Sequence, residues 1–109
     1  MNKTVSSEDA ERILADASPE QCFWVNNGPI IKNLSEMSDA LGSMKDEIFR
    51  YHVNEEKNDF GNWVRDVLKD EELANDIARI KSKERILKKV QSRIRKLDNK
   101  IKKKRSIAA

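Results

Sequence analysis

The chain has a single cysteine, Cys22, so it forms no internal disulfide and holds no CxxC metal or redox motif. Its three glycines stand apart at 28, 42 and 61, too scattered for a phosphate-cradling loop. With only two prolines besides, it has no low-complexity linker. No apolar run approaches the roughly 18 residues that argue for a transmembrane helix. The opening stretch, MNKTVSSEDAERILADAS, carries acidic residues and lacks the apolar segment of a secretory signal. These absences make the cytosol the simplest compartment. The length, 109 residues, suits one domain with an appendage but not two full cores.

Acidic residues are nearly missing from one part of the chain. Residues 79–109 hold 14 Lys+Arg against 2 Asp+Glu, a net of +12, whereas residues 1–78 hold 8 against 17, a net of −9. The formal charge of +3 and the pI near 9.0 therefore describe neither part. The division suggests an N-terminal segment over 1–19, a compact acidic domain over 20–80 and a basic amphipathic helix over 81–109.

The patterning is mainly α. Ser6 or Ser7 is placed to cap a short helix whose apolar face is Ala10, Ile13, Leu14 and Ala17, with Ser18-Pro19 as its stop. Cys22–Val25, then Asn26-Asn27-Gly28, then Pro29–Ile31 read as a short hairpin; Pro29 lacks an N–H, which keeps its strand short or at an edge. Asn33 and Glu36 have capping-box spacing ahead of a stripe of Leu34, Met37, Leu41 and Met44. Gly42 is expected to close that helix in left-handed geometry, and Ser43 to cap the next, whose inward face is Ile48, Phe49, His52 and Val53. After the polar break NEEKN, Asn58 or Asp59 caps a helix with Phe60, Trp63, Val64, Val67 and Leu68 at i, i+3, i+4, i+7, i+8. Asp70 caps a further segment carrying Leu73, Ile77 and Ile80 on one face.

Two stretches, FWVNNGPIIKNLSEMSDAL and FRYHVNEEKNDFGNWVRDVLKDEELA, resemble a prokaryotic family of small domains of unknown function. Its markers fall here at Phe23, Gly28, Phe49, His52, Val53, Asn58, Asp59, Phe60, Trp63, Val64, Asp66 and Val67. The likeness spans about 23–80, implies a domain boundary there and no activity, and leaves the basic tail outside.

Catalytic chemistry has little to stand on. His52 beside Asn54, Glu55, Glu56, Asn58 and Asp59 is the densest polar cluster, and a catalytic reading makes His52 a general base oriented by Asp59. It lacks a nucleophile: Cys22 is the sole thiol, and no family signature surrounds it. The plainer reading has His52 closing an apolar helix face. HVNEEKND has neither HExxH spacing nor an EF-hand core, and Asp66, Asp70, Glu71 and Glu72 read as a solvated face with a helix first turn. No metal or cofactor is expected. Of the aromatics, most fall on core faces, where a small core needs them.

The tail is the strongest functional feature. Lys81, Lys83, Arg85, Lys88, Lys89, Arg93, Arg95, Lys96, Lys100, Lys102, Lys103, Lys104 and Arg105 surround an apolar stripe. Such charge attracts polyphosphate through counterion release without sequence readout. No aromatic lies beyond Trp63, so the tail does not stack splayed bases, which favours structured RNA or duplex DNA. The stripe itself, Leu87, Val90, Ile94, Leu97 and Ile101, has the a/d spacing of a coiled coil, and a homodimer through about 80–101 is the alternative. Arg93 at g and Asp98 at e would then favour a parallel pair. A third arrangement lays the helix along the protein's own acidic body. Aliphatic residues alone, without Trp or Phe anchors, argue against a membrane-surface helix. The expected function is thus a non-enzymatic protein associated with nucleic acid, or else an interaction and oligomerisation module, with a small enzyme using His52 third.

Overall fold

The computed structural model describes residues 5–108, with side chains described for 5–104. Six helices and one hairpin follow each other as α1 (Ser7–Leu14), β1 (Phe23–Trp24), β2 (Ile30–Ile31), α2 (Leu34–Ser43), α3 (Asp46–His52), α4 (Asp59–Asp66), α5 (Glu71–Ile77) and α6 (Lys83–Ala108), with a 3-10 turn at Pro19–Gln21. Among the described residues no helix is long and apolar enough to cross a membrane.

Four of the five shorter helices begin at a side-chain cap, which explains why they start where they do. Ser6, Asn33, Asn58 and Asp70 accept from the backbone N–H of Asp9, Glu36, Gly61 and Leu73. Glu36 completes its side of the box one residue early, accepting from the Lys32 N–H at 3.0 Å. Two expected boundaries move. α1 stops at Leu14, four residues short of Ser18-Pro19, because Ala15 turns extended and the Ala17 N–H donates to the Lys32 carbonyl at 2.7 Å. Gly42 lies inside α2 rather than closing it, and Ser43 is that helix's last residue. The Ser43 hydroxyl donates back to the Asp39 carbonyl, so α3 starts without a side-chain cap.

The hairpin pairs Phe23 with Ile31 and Trp24 with Ile30, antiparallel. Its turn closes with the Gly28 N–H on the Val25 carbonyl, and Asn27 takes the left-handed conformation (φ 56°). Gly28 is required for a different reason: a Cβ there would sit 2.8 Å from the Val25 methyl Cγ1. Strand alternation turns Phe23 and Ile31 inward and leaves Trp24 outside, 71% exposed, with its partner Ile30. Trp24 is therefore not a core residue, and Tyr51 on α3 is also exposed.

Inside, Phe23 stacks on Phe60 with centroids 4.8 Å apart, and Phe60 in turn stacks with Phe49. The Trp63 ring meets the Phe23 edge, and its indole N–H donates to the Gln21 carbonyl at 2.7 Å. One core joins all three segments of the sequence. Ala10 and Ile13 of α1 and Ile86, Val90 and Leu97 of α6 are buried in the same cluster as Phe60 and Leu41. The basic helix is thus part of the domain's interior, packed on α1, α2 and α5.

Candidate nucleic-acid interface

The position of α6 decides which of its residues face solvent. Its buried line is Ile86, Val90, Arg93 and Leu97, at the 3–4 spacing of one helix face. Leu87, Ile94 and Ile101 lie at the margin of that line, half-buried against the same core. All five residues of the coiled-coil stripe, Leu87, Val90, Ile94, Leu97 and Ile101, therefore rest on the chain's own body. A partner helix could use this seam only after α6 had left its bed.

Several cations of the tail are engaged within the fold. Arg93 is 7% exposed and forms a fork on Asp70, with Nε to Oδ2 at 2.8 Å and Nη2 to Oδ1 at 2.9 Å. Its Nη1 donates to Glu72. Lys83 donates to the Met44 carbonyl and lies 3.3 Å from Asp46. Lys81 pairs with Glu55, and Lys104 with Glu8, both at the surface. The Lys104 ammonium, hydrogen-bonded to the Glu8 carboxylate, holds that carboxyl below its ordinary range, and the carboxylate raises Lys104 in return. That tie is present above the carboxylate range and is lost as pH falls through the lowered Glu8 value. Lys100 is half-buried, and the Arg105 side chain lies outside the described residues.

What remains outward is a continuous basic face: Arg85, Lys88, Lys89, Arg95, Lys96, Lys102 and Lys103 are all exposed. Among the described residues only Lys96 of these seven has an acidic partner, Glu72 at 3.9 Å. Arg85 to Lys103 covers roughly 27 Å of helix at 1.5 Å per residue. The polar residues Ser92 and Asn99 lie on the same exposed side. The opposite side of α6 is packed on the body from Ile86 to Ile101.

The His52 cluster is built differently. The imidazole is buried, packed against the stacked Phe23 and Phe60 rings. A backbone N–H can only donate, so the Asn26 N–H at 3.0 Å makes Nε2 an acceptor and places the proton on Nδ1, 3.0 Å from Asp59 Oδ2. Both ring nitrogens are thereby committed to fixing the hairpin turn onto α4. Cys22 does not join them; its thiol donates to the Ser18 carbonyl. Replacing His52 with alanine removes two hydrogen bonds and the ring packed against two phenyl groups, and is expected to cost about 2–3 kcal/mol of stability in urea unfolding. A loss under about 0.5 kcal/mol would show that the ring is not a structural tie.

The carboxylates near Asp66 are also dispersed in role. Asp66 pairs with Arg65, Asp70 caps α5 and holds Arg93, and Glu72 accepts from Arg93 Nη1. Among the described residues no group of His, Cys, Asp and Glu is arranged to hold a metal ion.

A search of curated proteins and a search of solved structures found no significant match. A family model does match, over residues 32–108, and it reaches from α2 to the end of α6, taking in the basic helix as well as the acidic body. The chain belongs to that family, the family of unknown function DUF5752.

Proposed function

We propose that the protein is a non-enzymatic, cytoplasmic nucleic-acid-associated protein that contacts the phosphate backbone through the outer face of α6. One observation carries this reading. Seven exposed cations lie along one face of α6, and among the described residues only Lys96 of them is paired with an acid of the body. The two acidic residues of α6, Glu84 and Asp98, fall to one flank of that face. A cationic ridge of this kind binds polyphosphate by releasing condensed counterions and reads no bases. The absence of aromatics on α6 fits backbone contact rather than stacking.

Salt dependence tests it. Engaging about six phosphates gives a slope of log K against log salt near −5. Fluorescence anisotropy with a mixed-sequence duplex, between about 50 and 200 mM salt, should return that slope with little change between sequences. No binding at about 50 mM salt, with protein at tens of micromolar, would sink the reading. Truncating α6 is not a usable control, since Ile86, Val90 and Leu97 belong to the core. Outward charges are the ones to change.

A further inference from the structure

The exposed cations of α6 do not form one line. Arg85, Lys89, Lys96 and Lys103 follow one edge of the outer face. Lys88, Arg95 and Lys102, spaced by sevens, follow the other, about a quarter turn away around the helix. Between the two rows lie uncharged Ser92 and Asn99. A helix with its side chains is about 10–12 Å across, so two rows a quarter turn apart stand roughly 8 Å from each other. Groove widths in B-form DNA run from about 6 to 12 Å. A single strand offers one line of phosphates, whereas a double helix offers two, one on each side of a groove. Because its inner side is packed on α1, α2 and α5, α6 cannot sink into a major groove as a free recognition helix does. It can lie along a groove as a ridge.

We infer that α6 binds a double helix by placing one cation row on each of the two backbones that border a groove. This rests on the nucleic-acid reading above and names its ligand: the paired phosphate backbones of a duplex. The longer row, Arg85 to Lys103, runs roughly 27 Å and the shorter, Lys88 to Lys102, roughly 21 Å, or about six to eight base pairs at 3.4 Å each. Ser92 and Asn99, facing the groove floor, supply hydroxyl and amide groups that hydrogen-bond to any sequence.

The test uses the full chain and labelled probes of about 16 nucleotides: a DNA duplex, an RNA duplex of the same sequence, and the separate strands. Two triple variants each remove three charges, Lys88→Gln/Arg95→Gln/Lys102→Gln from one row and Arg85→Gln/Lys89→Gln/Lys103→Gln from the other. All six positions are exposed, and circular dichroism verifies that helicity is retained. The native chain should hold one or both duplexes at least about tenfold more tightly than the single strands, a preference of about 1.4 kcal/mol. In each variant that ratio should fall towards one, whichever row is lost. The DNA and RNA arms identify which duplex is held. Equal affinity for duplex and single strand in the native chain overturns the two-row arrangement and leaves backbone binding standing. A ratio unchanged by the loss of one row overturns it as well. Binding to none of the probes overturns both this inference and the reading it rests on.

Discussion

Replacing Arg93 with alanine is expected to destabilise the protein by about 3–5 kcal/mol, the usual loss when one partner of a buried ion pair is removed. The size follows from what is left behind. Asp70 is 2% exposed, and its carboxylate is held by the Arg93 fork and by the Leu73 N–H at 3.3 Å. Without the guanidinium, one long backbone hydrogen bond is left to solvate a buried negative charge. Arg93→Lys should recover only part of the loss, because an ammonium cannot span both carboxylate oxygens. Asp70→Asn keeps a capping oxygen for α5 while removing the charge. Combined with Arg93→Ala, it should cost less than the sum of the two single changes by about 1–3 kcal/mol. Urea unfolding of the four proteins completes the cycle. Strict additivity, or an Arg93→Ala loss below about 1 kcal/mol, would mean that this pair does not join α6 to α5.

Arg93 also marks where the sequence stopped being informative. The caps Ser6, Asn33, Asn58 and Asp70, the hairpin, and the Phe60–Leu68 face were legible because local side-chain chemistry determines them within a few residues. The helical period of α6 was legible too, and so was most of its inner side. The heptad stripe Leu87, Val90, Ile94, Leu97 and Ile101 shares Val90 and Leu97 with the deepest line, but that line continues through Ile86 and Arg93. An arginine in that line reads as solvent-facing unless its partner is known, and Asp70 lies 23 residues away on another helix. The spacing 86, 90, 93, 97 was available as a signal, and a charged residue on it asked for an opposite charge elsewhere. Similarly, Gly42 resembled a helix stop because glycine favours left-handed geometry, yet Ser43 continues the helix and Met44 turns extended. Most of the aromatics were expected on core faces, and strand alternation is what puts Trp24 outside. For the candidate interface, the sequence located the basic helix, and burial then divided its cations into those consumed by the fold and the seven that face outward.

Leu97→Ala is expected to cost about 2–5 kcal/mol, a large share of the 5–15 kcal/mol typical of a domain. It is also expected to show whether α6 serves its own chain or a second copy. Leu97 is 0% exposed in the single chain, so its methyl groups already fill space between α6 and the body, and shortening it opens a cavity there. If folding rests on that intramolecular contact, the unfolding midpoints of native and variant chains should not move with protein concentration over about two decades. A dimer assembled through Leu87, Val90, Ile94, Leu97 and Ile101 gives the opposite signature. Its midpoint climbs with concentration, and Leu97→Ala flattens that climb. Sedimentation of the native chain at the two ends of the range supplies the second measurement. A concentration-dependent midpoint together with a dimer in sedimentation would mean that the seam leaves its own body to pair. The two charge rows would then have to be redrawn on a helix whose inner side is no longer fixed by α1 and α2.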